Sequence, residues 1–305
     1  MNYLTKSKFK LATECPAKLF YTDKSEYINN KIDKPFLEAL ADGGYQVGEL
    51  AKYYYPNGHH VYALDYDEAL EQTNKLLEQD EVTIYEAAVK HNNLFIRVDI
   101  LIKRGLFIKI IEVKAKSIDN KLKSFLTKKE DKVLAKWEPY LFDVAFQRYV
   151  ARSAFPDLTV TSYLLLTDKT ATTPTEGLNQ KFQITVDDKK RKGVSVSSSL
   201  SEEDLSVKLM RQIPVDVECD LICNTKVGND RRGVNFIGQI KEYSKSYSND
   251  IKIRPILKKE CRDCEFHASQ KDLDSGFRSG FHECWKEQLN WTDQDFEKPN
   301  VLNIW

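Results

Sequence analysis

The sequence predicts an α/β protein in which helices flank a mixed β-sheet. Two β-prone runs, rich in Ile, Val, Leu and Phe, meet at a short Lys-Arg-Gly turn within Leu94 to Lys116. Another such run, Val82 to Lys90, precedes them. A helical pattern from Pro139 to Ala154 and a last β-prone run, Leu158 to Thr167, come after. The expected core is therefore β-β-β-α-β, with antiparallel pairing at its start.

The chain before this core is predicted to be helical. Thr5 or Ser7 can cap a first helix that ends near Cys15-Pro16. We expect Gly43-Gly44 to break the next helical stretch, since glycine disfavours helix interiors. A new helix would then run from Tyr45 to Tyr55, with an apolar stripe at helical spacing.

The other elements follow from caps, periodicity and turn signals. Asp65 is a good N-cap for a helix to Gln79. A polar excursion with short strands is expected from Thr170 to Ser199. Helical patterns resume at Ser201 to Ile213 and at Val234 to Tyr247.

The central hairpin places ionisable groups on an apolar face. In its second strand Leu106, Ile108 and Ile110 alternate onto the same face as Glu112 and Lys114. An unpaired charge on such a face is costly. These residues are therefore expected to face a cleft, a partner or a metal.

Composition limits the classes of function. The chain has 305 residues, 41% of them hydrophobic, and 46 basic against 46 acidic side chains. It is not a polycation, but basic residues concentrate in 103–136 and 189–192, which suits local contacts with phosphates or a solvated face. With no signal peptide and no long apolar run, we expect a soluble cytoplasmic protein without a membrane partner.

The order Asp99, then Glu112-Val113-Lys114, resembles the core of the PD-(D/E)XK nuclease superfamily. Carboxylates on neighbouring strands suit a hard cation such as Mg²⁺ or Mn²⁺. The resemblance implies that Asp99, Glu112 and Val113 bind this cation and that Lys114 assists the attacking water. It also implies a restriction-endonuclease-like sheet.

Two helical residues extend this resemblance toward RecB-type nucleases. Gln147, in FDVAFQRYVARS, matches the glutamine of the helix after the E-x-K strand. Glu49, in GELAKYYYP, matches an acidic position on a helix before the hairpin. The resemblance implies that Gln147 organises the site and that Glu49 is a further ligand. Glu86 is another acidic candidate, and we interpret it as a glutamate at a sheet edge.

The cysteines suggest a metal centre. Cys261 and Cys264 form a Cys-x2-Cys motif, and Cys284 follows after nineteen intervening residues. In a cytosolic protein this pattern favours metal over disulfide. Cys15 is the expected fourth ligand, because Pro16 would turn the chain there. Zn²⁺, with His267 or His282, is the alternative; Cys219 and Cys223 are expected to be buried thiols.

One cysteine before the core and three after it resembles iron–sulfur RecB-like nucleases of the AddB type and the CRISPR-associated exonuclease type. The resemblance implies a [4Fe–4S] cluster that joins both ends of the domain. We accordingly expect an N-terminal helical segment (1–45), a nuclease core (46–170), and a last segment (171–305) with an insertion, helices and the cysteines.

The resemblance implies a hydrolase, a metal-dependent deoxyribonuclease that acts on single-stranded DNA or DNA ends, as an exonuclease rather than an endonuclease. One alternative is a catalytically inactive nucleic-acid-binding module. Another is a structural interaction domain within a repair or defence complex. A complete Asp99, Glu112 and Lys114 set favours the enzyme over a vestigial site.

Overall fold

The computed structural model of the protein describes residues 2–30, 35–122, 124–188 and 192–299. Its helices are α1 Lys6–Glu14, α2 Lys18–Tyr21, α3 Pro35–Tyr53, α4 Tyr66–Leu77, α5 Glu138–Ala154, α6 Asp216–Asn224, α7 Phe236–Ser248, α8 Gln270–Asp274, α9 Gly280–Leu289 and α10 Asp293–Glu297. Its strands are β1 Leu4–Thr5, β2 His59–His60, β3 Glu81–His91, β4 Leu94–Arg104, β5 Phe107–Ile118, β6 Thr159–Asp168, β7 Phe182–Val186, β8 Lys192–Val196 and β9 Met210–Pro214.

The chain divides into two compact units. The terminal unit combines Met1–Pro35 with Ile240–Trp305, and the central unit is Phe36–Gln239. The expected segments 1–45, 46–170 and 171–305 follow motifs in the sequence, whereas these units follow contacts between residues.

The central unit is built on a mixed sheet with the strand order β2-β3-β4-β5-β6-β9. β3, β4 and β5 are antiparallel neighbours, β5 and β6 are parallel, and β9 returns antiparallel to β6. The parallel pair requires a crossover, which the chain makes through α5. The predicted α/β class, its mixed sheet and the β-β-β-α-β order are confirmed.

The turn of the β4–β5 hairpin lies where the sequence predicted it. Gly105 has φ +54°, a left-handed conformation that glycine adopts without steric cost. The turn fixes the register, so that Leu101 lies opposite Ile110 and Lys103 opposite Ile108. This register determines which side chains of the two strands meet.

Helices cover both faces of the sheet. On one face, Leu50 and Ala51 of α3 share a core cluster with Tyr85, Ile100 and Ile111. Successive residues of a strand alternate between faces, so Asp99 and Glu112 point to the opposite side. Helix α5 lies on that side, with most of its residues buried.

Two predicted elements were wrong. Helix α3 continues through Gly43 and Gly44, because packing of its apolar stripe on the sheet outweighs two glycines in its interior. The helix predicted over Ser201 to Ile213 is absent from that described stretch. Strand β9 forms there instead, since Met210 and Ile213 pair with Thr167 and Leu164 of β6, a distant contact that local periodicity does not report.

The terminal unit brings the first and last parts of the chain together. Thr5 caps α1 by accepting a hydrogen bond from the backbone N–H of Lys8, as predicted. The Lys18 ammonium lies 2.6 Å from a carboxylate oxygen of Glu265. The backbone N–H of Asn30 donates to the carbonyl of the same glutamate at 2.8 Å. These contacts tie residues near position 20 to residues near position 265.

Candidate functional site

Two acidic residues come directly after the last residue pair of the ladder between β4 and β5. Its last paired residues are Ile100 and Ile111, and Asp99 and Glu112 come next on their strands. Residues opposite each other in antiparallel strands lie on one face, so both carboxylates lie on the face covered by α5. Asp99 Oδ2 accepts a hydrogen bond from the Val113 backbone N–H at 2.6 Å, which holds it beside β5.

Glu112 is 2% exposed. Burial of a carboxylate is costly unless hydrogen bonds and an opposite charge compensate it. Here Gln147 Nε2 donates to Glu112 Oε2 at 2.7 Å, and Lys114 Nζ lies 2.6 Å from Glu112 Oε1. The structure therefore brings Gln147 and Lys114 onto the same carboxylate, although they come from different elements.

The Lys114 side chain is partly exposed to solvent. It is 23% exposed, against 2% for Glu112. Its ammonium lies 3.3 Å from Asp143 Oδ2 on α5 as well. Lys114 is therefore a partly exposed cation whose position is set by two buried carboxylates.

Sequence reasoning missed Asp143. It is 4% exposed and lies one helical turn before Gln147, so both side chains project from the same face of α5. The available signal was a carboxylate with an apolar residue on each side of it in the sequence, four residues before the glutamine. Such a residue needs a partner, and Lys114 supplies it.

Glu49 has a partner on the other face of the sheet. It lies on α3, and its carboxylate is 2.6 Å from Lys52 Nζ. Lys52 Nζ is also 3.4 Å from His60 Nδ1. Burial and the neighbouring Lys52 lower the pKa of His60 to about 4. A role for Glu49 as a metal ligand stays a prediction.

We interpreted Glu86 as a glutamate at a sheet edge, and the pairing of β3 with β2 ends at Tyr85, the residue before it. It belongs to β3, which lies between β2 and β4. The pairs on either side of it, Tyr85 with Ile100 and Ala87 with Val98, place it opposite Asp99. Its φ of +56° is unusual for a residue other than glycine, and such conformations are concentrated at functional sites.

Part of the predicted basic surface can be located. Lys192 Nζ lies 2.7 Å from Asp42 Oδ1, while residues 189–191 and Lys123 are outside the described residues. Lys103 Nζ donates to the backbone carbonyls of Leu77 and Gln79. These two lysines therefore have structural partners.

The four cysteines of the predicted metal centre line one cavity in the terminal unit. The cavity has a volume of about 350 Å³, and its wall includes Cys15, Cys261, Cys264 and Cys284. Burial raises the pKa of each of the last three thiols, to about 12 for Cys264 and about 11 for Cys284, and the nearby Cys15 raises each further. Cys15, Cys264 and Cys284 also pack against one apolar cluster, which contains Tyr21 and Phe266.

Hydrogen bonds hold two of these sulfurs. The Tyr21 hydroxyl and Cys284 Sγ are 3.3 Å apart, and the Lys258 backbone N–H donates to Cys261 Sγ at 3.4 Å. The Tyr21 ring lies against Gly280, where an added Cβ would come within 2.8 Å of the ring. Among the described residues, however, no group of three or more His, Cys, Asp or Glu side chains meets the geometry of a metal site.

The two histidines proposed as alternative ligands stack on aromatic rings, and the other two cysteines lie in helix α6. His267 stacks on Phe281 with a centroid distance of 4.1 Å, and His282 stacks on Phe296 at 4.2 Å. Cys219 is buried, as predicted, and accepts a weak hydrogen bond from Ser162 at 3.7 Å. Cys223, from the same helix, is only partly buried.

No family model and no curated protein matches this chain. The functional assignment therefore depends on the geometry of the chain's own residues. Among the described helices, none is both long and apolar enough to cross a bilayer.

Proposed function

We propose that the protein is a divalent-cation-dependent nuclease of the PD-(D/E)XK type, with a restriction-endonuclease-like core, that hydrolyses phosphodiester bonds of DNA. One observation carries the proposal. Asp99, Glu112, Lys114 and Gln147, expected from a motif, lie together on one face of the sheet.

The donor set suits a hard cation. The Asp99 and Glu112 carboxylates and the Val113 carbonyl offer the oxygen ligands that Mg²⁺ or Mn²⁺ prefers. The backbone N–H and C=O of one strand residue point toward the same neighbouring strand, so the bond from Val113 N–H to Asp99 directs its carbonyl that way too. When bound, the cation would activate water and offset the charge of the phosphodiester.

The surrounding residues would position the reactants. Lys114 is the accessible cation of the group, and its ammonium would hold a phosphate oxygen or the attacking water. Gln147 keeps the buried Glu112 carboxylate oriented through its amide. The Asp143 carboxylate, on helix α5, limits the movement of the Lys114 side chain.

The test is cleavage of labelled DNA by the full chain. Mn²⁺ or Mg²⁺ should support cleavage of a single-stranded substrate, and a chelator should stop it. Linear and circular substrates compared in parallel separate an exonuclease from an endonuclease. Asp99→Asn should be inactive, whereas Lys109→Ala should be active, because the exposed Lys109 points to the other face of β5.

If the wild-type protein bound DNA but did not cleave it at any tested concentration of Mn²⁺ or Mg²⁺, the proposed nuclease activity would be contradicted. Such a result would favour the inactive nucleic-acid-binding module instead.

We also propose that Cys15, Cys261, Cys264 and Cys284 hold a [4Fe–4S] cluster. Four thiols line one cavity, and thiolates are the ligands of such clusters. A structural zinc site would bring four sulfurs to about 2.3 Å from one ion.

Metal analysis distinguishes the two cofactors. Anaerobically purified protein should be brown and contain iron with labile sulfide. Colourless protein with one equivalent of zinc would contradict the proposed iron–sulfur cluster. Protein that contains neither iron nor zinc would contradict the proposal of a metal centre.

A further inference from the structure

The contacts between β5 and α5 continue beyond the proposed catalytic group. Glu112 contacts Gln147 at 2.7 Å, and Lys114 contacts Asp143 at 3.3 Å. The next lysine, Lys116, has its ammonium 4.8 Å from the centre of the Tyr140 ring. Residues closer to the end of β5 therefore contact residues closer to the start of α5. We call these three contacts the row, and Lys116 makes the third of them.

A local irregularity of β5 accompanies this arrangement. The pairing of β5 with β6 shifts between Lys114 and Ser117. Such bulges redirect side chains and are frequent beside functional sites. Thr167 Oγ1 donates to the Ala115 carbonyl at 3.2 Å within the irregular stretch.

Lys116 differs from Lys114 in what holds it. Its ammonium lies 5.1 Å from the centre of the Trp137 ring and donates to the Lys136 carbonyl at 3.3 Å. Within the described part of the chain, Lys116 thus contacts rings and a carbonyl, whereas Lys114 lies between two carboxylates. A half-exposed ammonium that is positioned by rings remains accessible to an anion.

A second cation lies beside it. Lys136 is exposed, and its ammonium is 5.8 Å from the centre of the same Trp137 ring. Two positive charges on one indole increase the local attraction for phosphate. The accessible end of the row is therefore cationic.

We propose that Lys116 binds the phosphodiester next to the one that is cleaved, so that the substrate is a nucleic acid strand with at least two consecutive phosphates. The inference depends on the proposed nuclease function. The contacts of Lys114 and Lys116 on α5, Asp143 and Tyr140, are three residues apart, a rise of roughly 5 Å along the helix, which is close to the spacing of successive phosphates along a strand. Lys114 and Lys116 could thus contact neighbouring phosphates.

Salt-dependent binding tests this contact without cleavage. A fluorescein-labelled oligodeoxythymidylate would be titrated with the full chain in a chelator, at several salt concentrations. Each phosphate contact contributes about −0.7 to the slope of log K against log salt on a single strand. Lys116→Gln should make the slope less steep by about that amount, Lys116→Arg should restore it, and Lys109→Gln should match the wild type.

Kinetics provide a second readout. With Mn²⁺, Lys116→Gln should raise KM for the oligonucleotide about tenfold, the equivalent of one charge-assisted contact. The rise should be much smaller for bis(p-nitrophenyl) phosphate, which has a single phosphate. Lys109→Gln is the control for both substrates.

The outcomes separate the inference from the proposed function. An unchanged salt slope in Lys116→Gln, or an equal rise in KM for both substrates, would overturn the Lys116 contact even if the wild type is an active nuclease. A wild type that cleaves neither substrate would overturn the nuclease, while the salt slope would still decide whether Lys116 binds phosphate. Failure of the wild type to bind the oligonucleotide at low salt would overturn the inference.

Discussion

Asp143 Oδ2 lies 3.3 Å from Lys114 Nζ, and Lys114 thereby joins helix α5 to strand β5. The same ammonium is 2.6 Å from Glu112 Oε1. The lysine of the proposed motif is thus fixed by two carboxylates from different elements.

Lys114→Ala is expected to lower the cleavage rate by roughly 10²–10³-fold, the effect of removing one group that stabilises transition-state charge. Asp143→Asn should have a smaller effect, because it leaves the ammonium in place but less restricted. Single-turnover cleavage measures both. If Asp143→Asn were as inactive as Lys114→Ala, the expected difference between the two variants would be contradicted, and Asp143 would have a direct role in cleavage.

Gln147→Leu should lower the free energy of unfolding by roughly 1–3 kcal/mol, because the buried Glu112 carboxylate loses a hydrogen-bond donor. Urea unfolding of the metal-free protein measures this. Gln79→Leu, at an exposed glutamine after α4, is the control. Equal stability of the two variants would mean that the hydrogen bond contributes nothing to the fold.

Cys15→Ala should lose the brown colour, the iron and the labile sulfide. It should also unfold more easily, by about 4 kcal/mol if cluster ligation acts as a cross-link over a long loop. Cys223→Ala is the control, because this partly buried cysteine lies in the central unit. Full iron content in Cys15→Ala would remove Cys15 from the ligand set.

His60 predicts a pH dependence of stability. Burial and Lys52 lower its pKa from 6.5 to about 4 in the folded protein. Between these values the unfolded chain binds more protons, so stability should fall as pH drops from about 6.5 toward 4 and be unaffected by this group above that range. His60→Gln should reduce the slope in thermal unfolding measured against pH.

The exposed His59, the preceding residue, provides the comparison, and His59→Gln should keep the slope of the wild type. An NMR titration gives the His60 midpoint directly. A midpoint near 6.5 in the folded protein would contradict the expected burial.

The sequence predicted the parts of the site that depend on local pattern. Strand alternation placed Glu112 and Lys114 on one face, and the Gly105 turn fixed the register of the hairpin. Asp99 accepts a hydrogen bond from the residue after Glu112 as a result. Asp143 could not be identified in this way, because its role comes from a contact between α5 and β5 that periodicity does not encode.

The two wrong predictions of secondary structure have a similar origin. Glycines at 43 and 44 lower helix propensity, but α3 continues through them because it packs on the sheet. The sequence does not display this packing. Residues 210–213 become a strand because β6 offers them an edge. Local patterns predicted elements with strong periodicity and failed where a distant partner decides.

The division of the chain into units has a consequence for biosynthesis. The terminal unit needs residues from both Met1–Pro35 and Ile240–Trp305, whereas the central unit is continuous. At roughly 5–20 residues per second, the ribosome needs on the order of 10–50 s to proceed from Cys15 to Cys261. During that time the N-terminal segment lacks Glu265, the residue that binds Lys18. The central unit can therefore fold during translation, while the terminal unit, with its four cysteines, can be completed only after Cys284 has emerged.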